Sequence, residues 1–216
     1  MKRIAIVVLI TVALASSGVP ALAATSPAPS SISGLNGPLP ANFAVPAGST
    51  VTITNSHVTA SAPMDVRGNL TISDSTITAP EGLTVSGGSL TLKNVILKAP
   101  VHASGMGDMI TLNSGSFSGD HVSITGDHCA FHFNGGPSGV TNFVLNQATV
   151  NSSVYAFMIG GGAPKGTKQI TGLTIVDTPH GIQASNVKAR YSFSGVTYQN
   201  VKSHTEITNP AQVTVS

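Results

Sequence analysis
Two Gly-Asp-His triplets, Gly119-Asp120-His121 and Gly126-Asp127-His128, stand seven residues apart. With His132, they gather two carboxylates and three imidazoles into one short segment. The chain is otherwise poor in such groups, since Asp and Glu together number 8 and His 7. Paired carboxylates can run acid/base chemistry on a glycosidic bond. Two Asp and several His can also hold a metal ion. His128 and His132 stand four apart and would share one face of a strand, but no matching partner accompanies that spacing, so no metal is assigned. The plainer alternative is two related turns, each using Gly-Asp to bend the backbone.

Other candidates lie downstream. Tyr155 offers a face on which a sugar can stack, and Trp is missing from the chain. Lys165 and Lys168 follow Gly160-Gly161-Gly162 and either bind an acidic sugar or are solvated loop charges. Cys129 is the single cysteine, so no intramolecular disulfide can form. It reads as a small buried apolar residue. His180 reads as an inward hydrogen-bonded residue or part of a turn, and Asp74 and Asp177 as structural corner residues.

Short alternating strands must position these groups. Val51-Thr52-Ile53-Thr54-Asn55, Leu70-Thr71-Ile72-Ser73-Asp74 and Leu90-Thr91-Leu92-Lys93-Asn94 repeat one pattern. Ile110-Thr111-Leu112-Asn113-Ser114 follows as a fourth copy, one equal step further on. A period of about 20 residues built from short strands points to a β-solenoid. Alternate side chains point inward, and another inward residue follows five positions later, as in Ile53 to Val58 and Leu112 to Phe117. Asn55, Asp74, Asn94, Ser114, Gln147, Asp177 and Asn200 follow the apolar pairs and read as corners, where Asn and Asp tolerate left-handed backbone. Past Leu112 the period loosens, with Leu145, Ile175 and Tyr198 at wider and uneven steps. Longer rungs imply inserted loops, where sites tend to lie.

The ends set the compartment. Lys2-Arg3, the apolar run Ile4–Ala15 and Ala21-Leu22-Ala23 form a secretory signal peptide, residues 1–23. Residues 24–47 read as a linker and N-terminal cap covering an open strand edge, and 48–216 as one solenoid domain. No later segment reads as a membrane span. Only 8% of the chain is charged, the net charge is +2, and there is no basic stripe with aromatics, which argues against nucleic acid.

From about Gly48 to Ile207 the rungs resemble the right-handed parallel β-helix of the pectate-lyase-like group. Gly126-Asp127-His128-Cys129-Ala130 is similar to the Gly-Asp-Asp-Cys segment of polygalacturonases, with Asp127 matching the first Asp and His128 standing where the second would be. Asp120 would lie a rung earlier. The family's Gly-His segment has its counterpart at Tyr155–Gly160 without the His, and its Arg-x-Lys place falls near Gly181–Ser185 without either base. The resemblance implies a polysaccharide as substrate or ligand, an acidic one favoured. The calcium used by pectate lyases is not supported by a clear acidic cage.

The expectation is therefore an all-β, right-handed parallel β-helix of about seven rungs with an N-terminal cap, secreted or on the cell surface. Asp120, Asp127 and His128 are its candidate catalytic residues, and His121, His132, Tyr155, Lys165 and Lys168 its candidate substrate contacts. Lyase, hydrolase and non-catalytic binder all remain open. The alternative is a structural surface or matrix solenoid of the adhesin kind.

Overall fold
The computed structural model describes residues 30–100, 107–134, 139–151, 153–160, 167–185, 187 and 189–216. They form a parallel β-solenoid of about seven turns, with strands and no helix among the described residues. Lys165 and His102 lie outside them, as does the proposed signal peptide.

Three walls run along the coil. The first stacks Ser31–Ser33 (β1), Thr50–Thr54 (β4) and the first half of Asn69–Thr78 (β7). It continues through the middle of Leu83–Lys98 (β8) and of Asp108–Thr125 (β9). The starts of Val140–Asn151 (β11) and Thr167–Val176 (β13) follow, then Arg190–Ser194 (β15) and Val213–Val215 (β18). The second wall begins with Asn36–Pro38 (β2) and His57–Thr59 (β5), runs through the later halves of β7, β8, β9, β11 and β13, and ends on Thr197–Gln199 (β16).

The third wall begins with Ala44–Val45 (β3), Met64–Val66 (β6) and the starts of β8 and β9. Cys129–Phe133 (β10), Tyr155–Ile159 (β12), His180–Ala184 (β14) and Ser203–Ile207 (β17) complete it. Residues 31–45 cover the first rung as an in-register coil of their own, satisfying the strand edge with backbone hydrogen bonds.

Alternation packs the centre. Ile53, Ile72 and Leu92 align in register on the first wall and are essentially inaccessible to solvent. The dry axis broadens into phenyl rings in the middle turns. Phe117 stacks on Phe143 (4.8 Å between centroids) and Phe131 on Phe157 (4.7 Å), with edge contacts between the pairs. Such rings bring large buried apolar area and orientation-dependent contacts to the widest part of the core.

The register corrects one expectation. Leu112 is buried, but it pairs with Val85 on the third wall, not with Leu92. Leu92 pairs with Gly119, so that turn is longer than the two before it. Gly119 takes an inward place because a Cβ there would collide with Phe117 and Leu145. The steps from Leu112 to Leu145 and from Leu145 to Ile175 are uneven for the same cause, since they compare residues on different walls, whereas Ile175 and Tyr198 pair on one wall. Gly119 pairs with Leu145 and Leu145 with Ile170, so the later turns are long but nearly equal.

The corners follow from the same register. Asn55, Asp74, Asn94, His121 and Gln147 turn the chain from first wall to second, each with φ between 49° and 54°. Ser114 does not belong to this set; His121 takes its place. Asp177 and Asn200 have left-handed φ too, but they leave the second wall for the third. Both ladders carry side-chain bonds between turns: Asn94 Nδ2 donates to Asp74 Oδ1 and Asn200 Nδ2 to Asp177 Oδ1, each at 2.9 Å.

Candidate functional site
The two Gly-Asp-His triplets part company at the corners. Asp120 lies outward on the first wall, in register with Lys93 and Asn146, and its carboxylate is 3.1 Å from exposed His121. Asp127 lies in the turn between the second and third walls, with φ 68° and no solvent exposure. Its Oδ1 accepts from the backbone N–H of His128 at 2.8 Å, and its own N–H donates to the carbonyl of Pro100. The fold therefore does not bring Asp120 and Asp127 together as a carboxylate pair. Asp127 shapes a corner, with Gly126 before it packed so closely on Ala99 that a Cβ would strike the Ala99 carbonyl.

Lys168 also departs from expectation. It belongs to strand β13 rather than to a solvated loop, and is fully buried in register between Phe143 and Tyr191. Burial lowers its ammonium pKa. It is not placed to meet a sugar at the surface.

The remaining candidates meet on the third wall. Two outward rows cross it. One carries Thr111, His132, Met158, Gln183 and Glu206; the other carries Asp108, Tyr155, His180 and Ser203, with Cys129 between the first two. His128 enters at the corner before Cys129. Its ring meets Tyr155 edge-on at 5.3 Å between centroids, and Tyr155 stacks on His180 at 4.6 Å and 19°. Parallel in-register strands repeat at about 4.8 Å, so a ring on each of two neighbouring strands yields this stack directly. The neighbouring buried places hold the small residues Ala130, Ala156 and Gly181.

Carboxylates stand at opposite ends of the two rows. His132 Nδ1 and Asp108 Oδ2 are 2.6 Å apart, and His180 Nδ1 and Glu206 Oε1 are 2.7 Å apart. A carboxylate only accepts, so each imidazole carries its proton on Nδ1 and donates it. Burial raises the Asp108 pKa, but the hydrogen bond and charge of His132, with help from Cys129 and His128, outweigh it and hold the carboxyl below its ordinary value. Glu206 is held below its ordinary value by hydrogen bonds from His180 and Ser203, joined by one from Gln183 Nε2 at 3.1 Å. His180 is thus a half-buried outward residue rather than an inward one.

Cys129 is buried, as its apolar character suggested. Its sulfur nevertheless faces polar company, with Sγ 3.3 Å from His128 Nδ1. Burial, reinforced by the negative charge and hydrogen bonding of Asp108, pushes the thiol pKa well above its ordinary value. The ligand atoms of Asp108, His128 and Cys129 all lie within 4.8 Å of one another.

Asp108 and Glu206 were missed in the sequence, as was the role of His180. Asp108 precedes Ile110-Thr111-Leu112, and the correct register of that strand with Phe131 and Phe133 would have placed it beside Cys129. Elsewhere, an open hollow of about 590 Å³ lies where the third wall turns to the first, lined by Ser and Gly with Asn69 and Thr141 and no titratable side chain. Compared with protein families, curated proteins and solved structures, the chain shows no match.

Proposed function
We propose that this protein is an exported, non-catalytic polysaccharide-binding solenoid, related in architecture to the pectate-lyase-like group, with the third wall as its binding face. The observation that carries the reading is the ring row of His128, Tyr155 and His180. Because Tyr155 and His180 stack on each other, the row turns ring edges outward beside polar groups, a combination that meets a sugar's C–H groups and hydroxyls together. His132 and Gln183 flank the rings in the adjacent row and supply hydrogen-bonding edges. Acidic glycans are favoured, because the imidazoles can donate to uronate oxygens.

Binding is preferred to cleavage for a geometric reason. Asp108 and Glu206 lie on strands four steps apart along the wall, roughly 19 Å at about 4.8 Å per step. Glycosidases that use two carboxyl groups hold them about 5–9.5 Å apart. The Asp120–Asp127 pair is divided between a wall and a buried corner. Export rests on the signal-peptide pattern at residues 1–23.

The test is a binding screen of the secreted protein against polygalacturonate, alginate, xylan and a neutral glucan, with and without calcium, while reducing ends and unsaturated products are followed. Expected are retention by an acidic polysaccharide, no product, and about tenfold weaker binding for Tyr155→Ala, equivalent to about 1.4 kcal/mol. No polysaccharide bound, or full affinity in Tyr155→Ala, would overturn the proposal; product release would overturn its non-catalytic part.

A further inference from the structure
We infer that Asp108, His128 and Cys129 form a binding site for a thiophilic divalent cation, zinc in the first instance, with His132 as the residue that positions Asp108. This inference does not rest on glycan binding, although His128 and His132 belong to both sites. It rests on the pairing of the start of β9 with β10, which brings three different donors together.

The donor atoms stand close to metal-ligand spacing. In a tetrahedral zinc site with bonds of roughly 2.0–2.3 Å, neighbouring ligand atoms are roughly 3.3–3.7 Å apart. Cys129 Sγ is 3.3 Å from His128 Nδ1, and His128 Nδ1 is 3.9 Å from Asp108 Oδ1. All three donors lie within 4.8 Å of one another. Closing these gaps needs small side-chain adjustments, not movement of the coil.

The chemistry of the set selects the ion. One thiol, one imidazole and one carboxylate are poor partners for calcium, which takes six to eight oxygens. Sulfur and nitrogen donors suit zinc and its neighbours in the first transition row. Three protein ligands leave a fourth position for water or an incoming group. The side chains of Asp108 and His128 are 20% and 14% exposed, so the set opens to the wall surface rather than being sealed in the core.

The second partner is also in place. His132 Nδ1 lies 2.6 Å from Asp108 Oδ2, leaving Oδ1 directed toward His128. A carboxylate ligand held in this way by an outer hydrogen bond is oriented before the metal arrives. The cation takes the place of the Cys129 thiol proton, which leaves to solvent, and the resulting thiolate is stabilised by the ion's charge.

The probe is cobalt(II) added to chelator-treated full-length protein, followed by competition with zinc. Expected are one cobalt per chain, a thiolate-to-cobalt charge-transfer band, and displacement of that band by one equivalent of zinc. Cys129→Ser should abolish the band, and Asp108→Asn should weaken uptake. His132→Ala should keep the band and the stoichiometry but lower affinity by about 10–100-fold. His121→Ala, at the exposed corner, should bind as the native chain does. Circular dichroism of each variant separates loss of ligand from loss of fold. No stoichiometric uptake by the native chain, or a charge-transfer band that survives in folded Cys129→Ser, would overturn the inference.

Discussion

Asn94 shows how a single side chain supports this molecule. Its φ of 53° lies in the left-handed region, and its amide reaches the Asp74 carboxylate one turn earlier. An L-residue is strained in that backbone unless its side chain is short and polar. Asn94→Ala should therefore cost about 1–2 kcal/mol, and Asn94→Gly less, because glycine accepts the corner while losing only an exposed hydrogen bond. Denaturant midpoints of the two variants decide the matter; equal midpoints would show that corner conformation is not what Asn94 supplies. This kind of residue was legible in the sequence, since Asn and Asp recur after apolar pairs for one physical reason. His121 was not, because its neighbours Asp120 and Gly119 suggested chemistry and nothing local distinguishes a corner imidazole from a reactive one. Asp108 was hidden for the opposite reason: its partners His128, Cys129 and His132 come from the next turn, and only the pairing of β9 with β10 brings them near.

The element that organises the centre is the pair β10 and β12. Phe131, Phe133, Phe157 and Ile159 point inward from it, while His132, Tyr155 and Met158 face outward. Packing of the inner rings fixes the outer row, because each strand carries both sets on opposite faces. Phe157 has no solvent exposure and touches Phe131, Phe143 and Phe193. Phe157→Ala should remove about 3–5 kcal/mol of stability, and chemical denaturation will measure it. A loss below about 1 kcal/mol, the scale of an ordinary surface change, would mean that the phenyl cluster does not hold these turns together. Strand periodicity was readable here, but wall identity was not. Ile110-Thr111-Leu112 has the same apolar-polar-apolar text as Leu90-Thr91-Leu92, although the two stand on different walls. Every wall of a coil buries alternate residues, so alternation reveals a strand without saying which side of the coil it occupies.

At the scale of the whole molecule, turn length and the proposed binding face are connected. The early turns, from Ile53 to Ile72 and on to Leu92, are short and carry mainly Thr and Ser outward. The later ones, from Leu92 through Gly119 and Leu145 to Ile170, are longer and carry His121, His128, His132 and Tyr155. The coil was legible as a coil because contacts between neighbouring turns dominate such a fold. The proposed binding face was not, since its residues come together only once several turns are stacked in register. The most direct test is amide chemical-shift mapping of the full chain during titration with polygalacturonate oligomers. Shifts should concentrate in Cys129–Phe133, Tyr155–Ile159 and His180–Ala184, with the Asn94 and Asp74 corner undisturbed. Shifts centred instead on the hydroxyl-lined hollow at Ser86–Ser89 and Ser114–Ser116, or no shifts at all, would contradict the assignment of the third wall as the binding face.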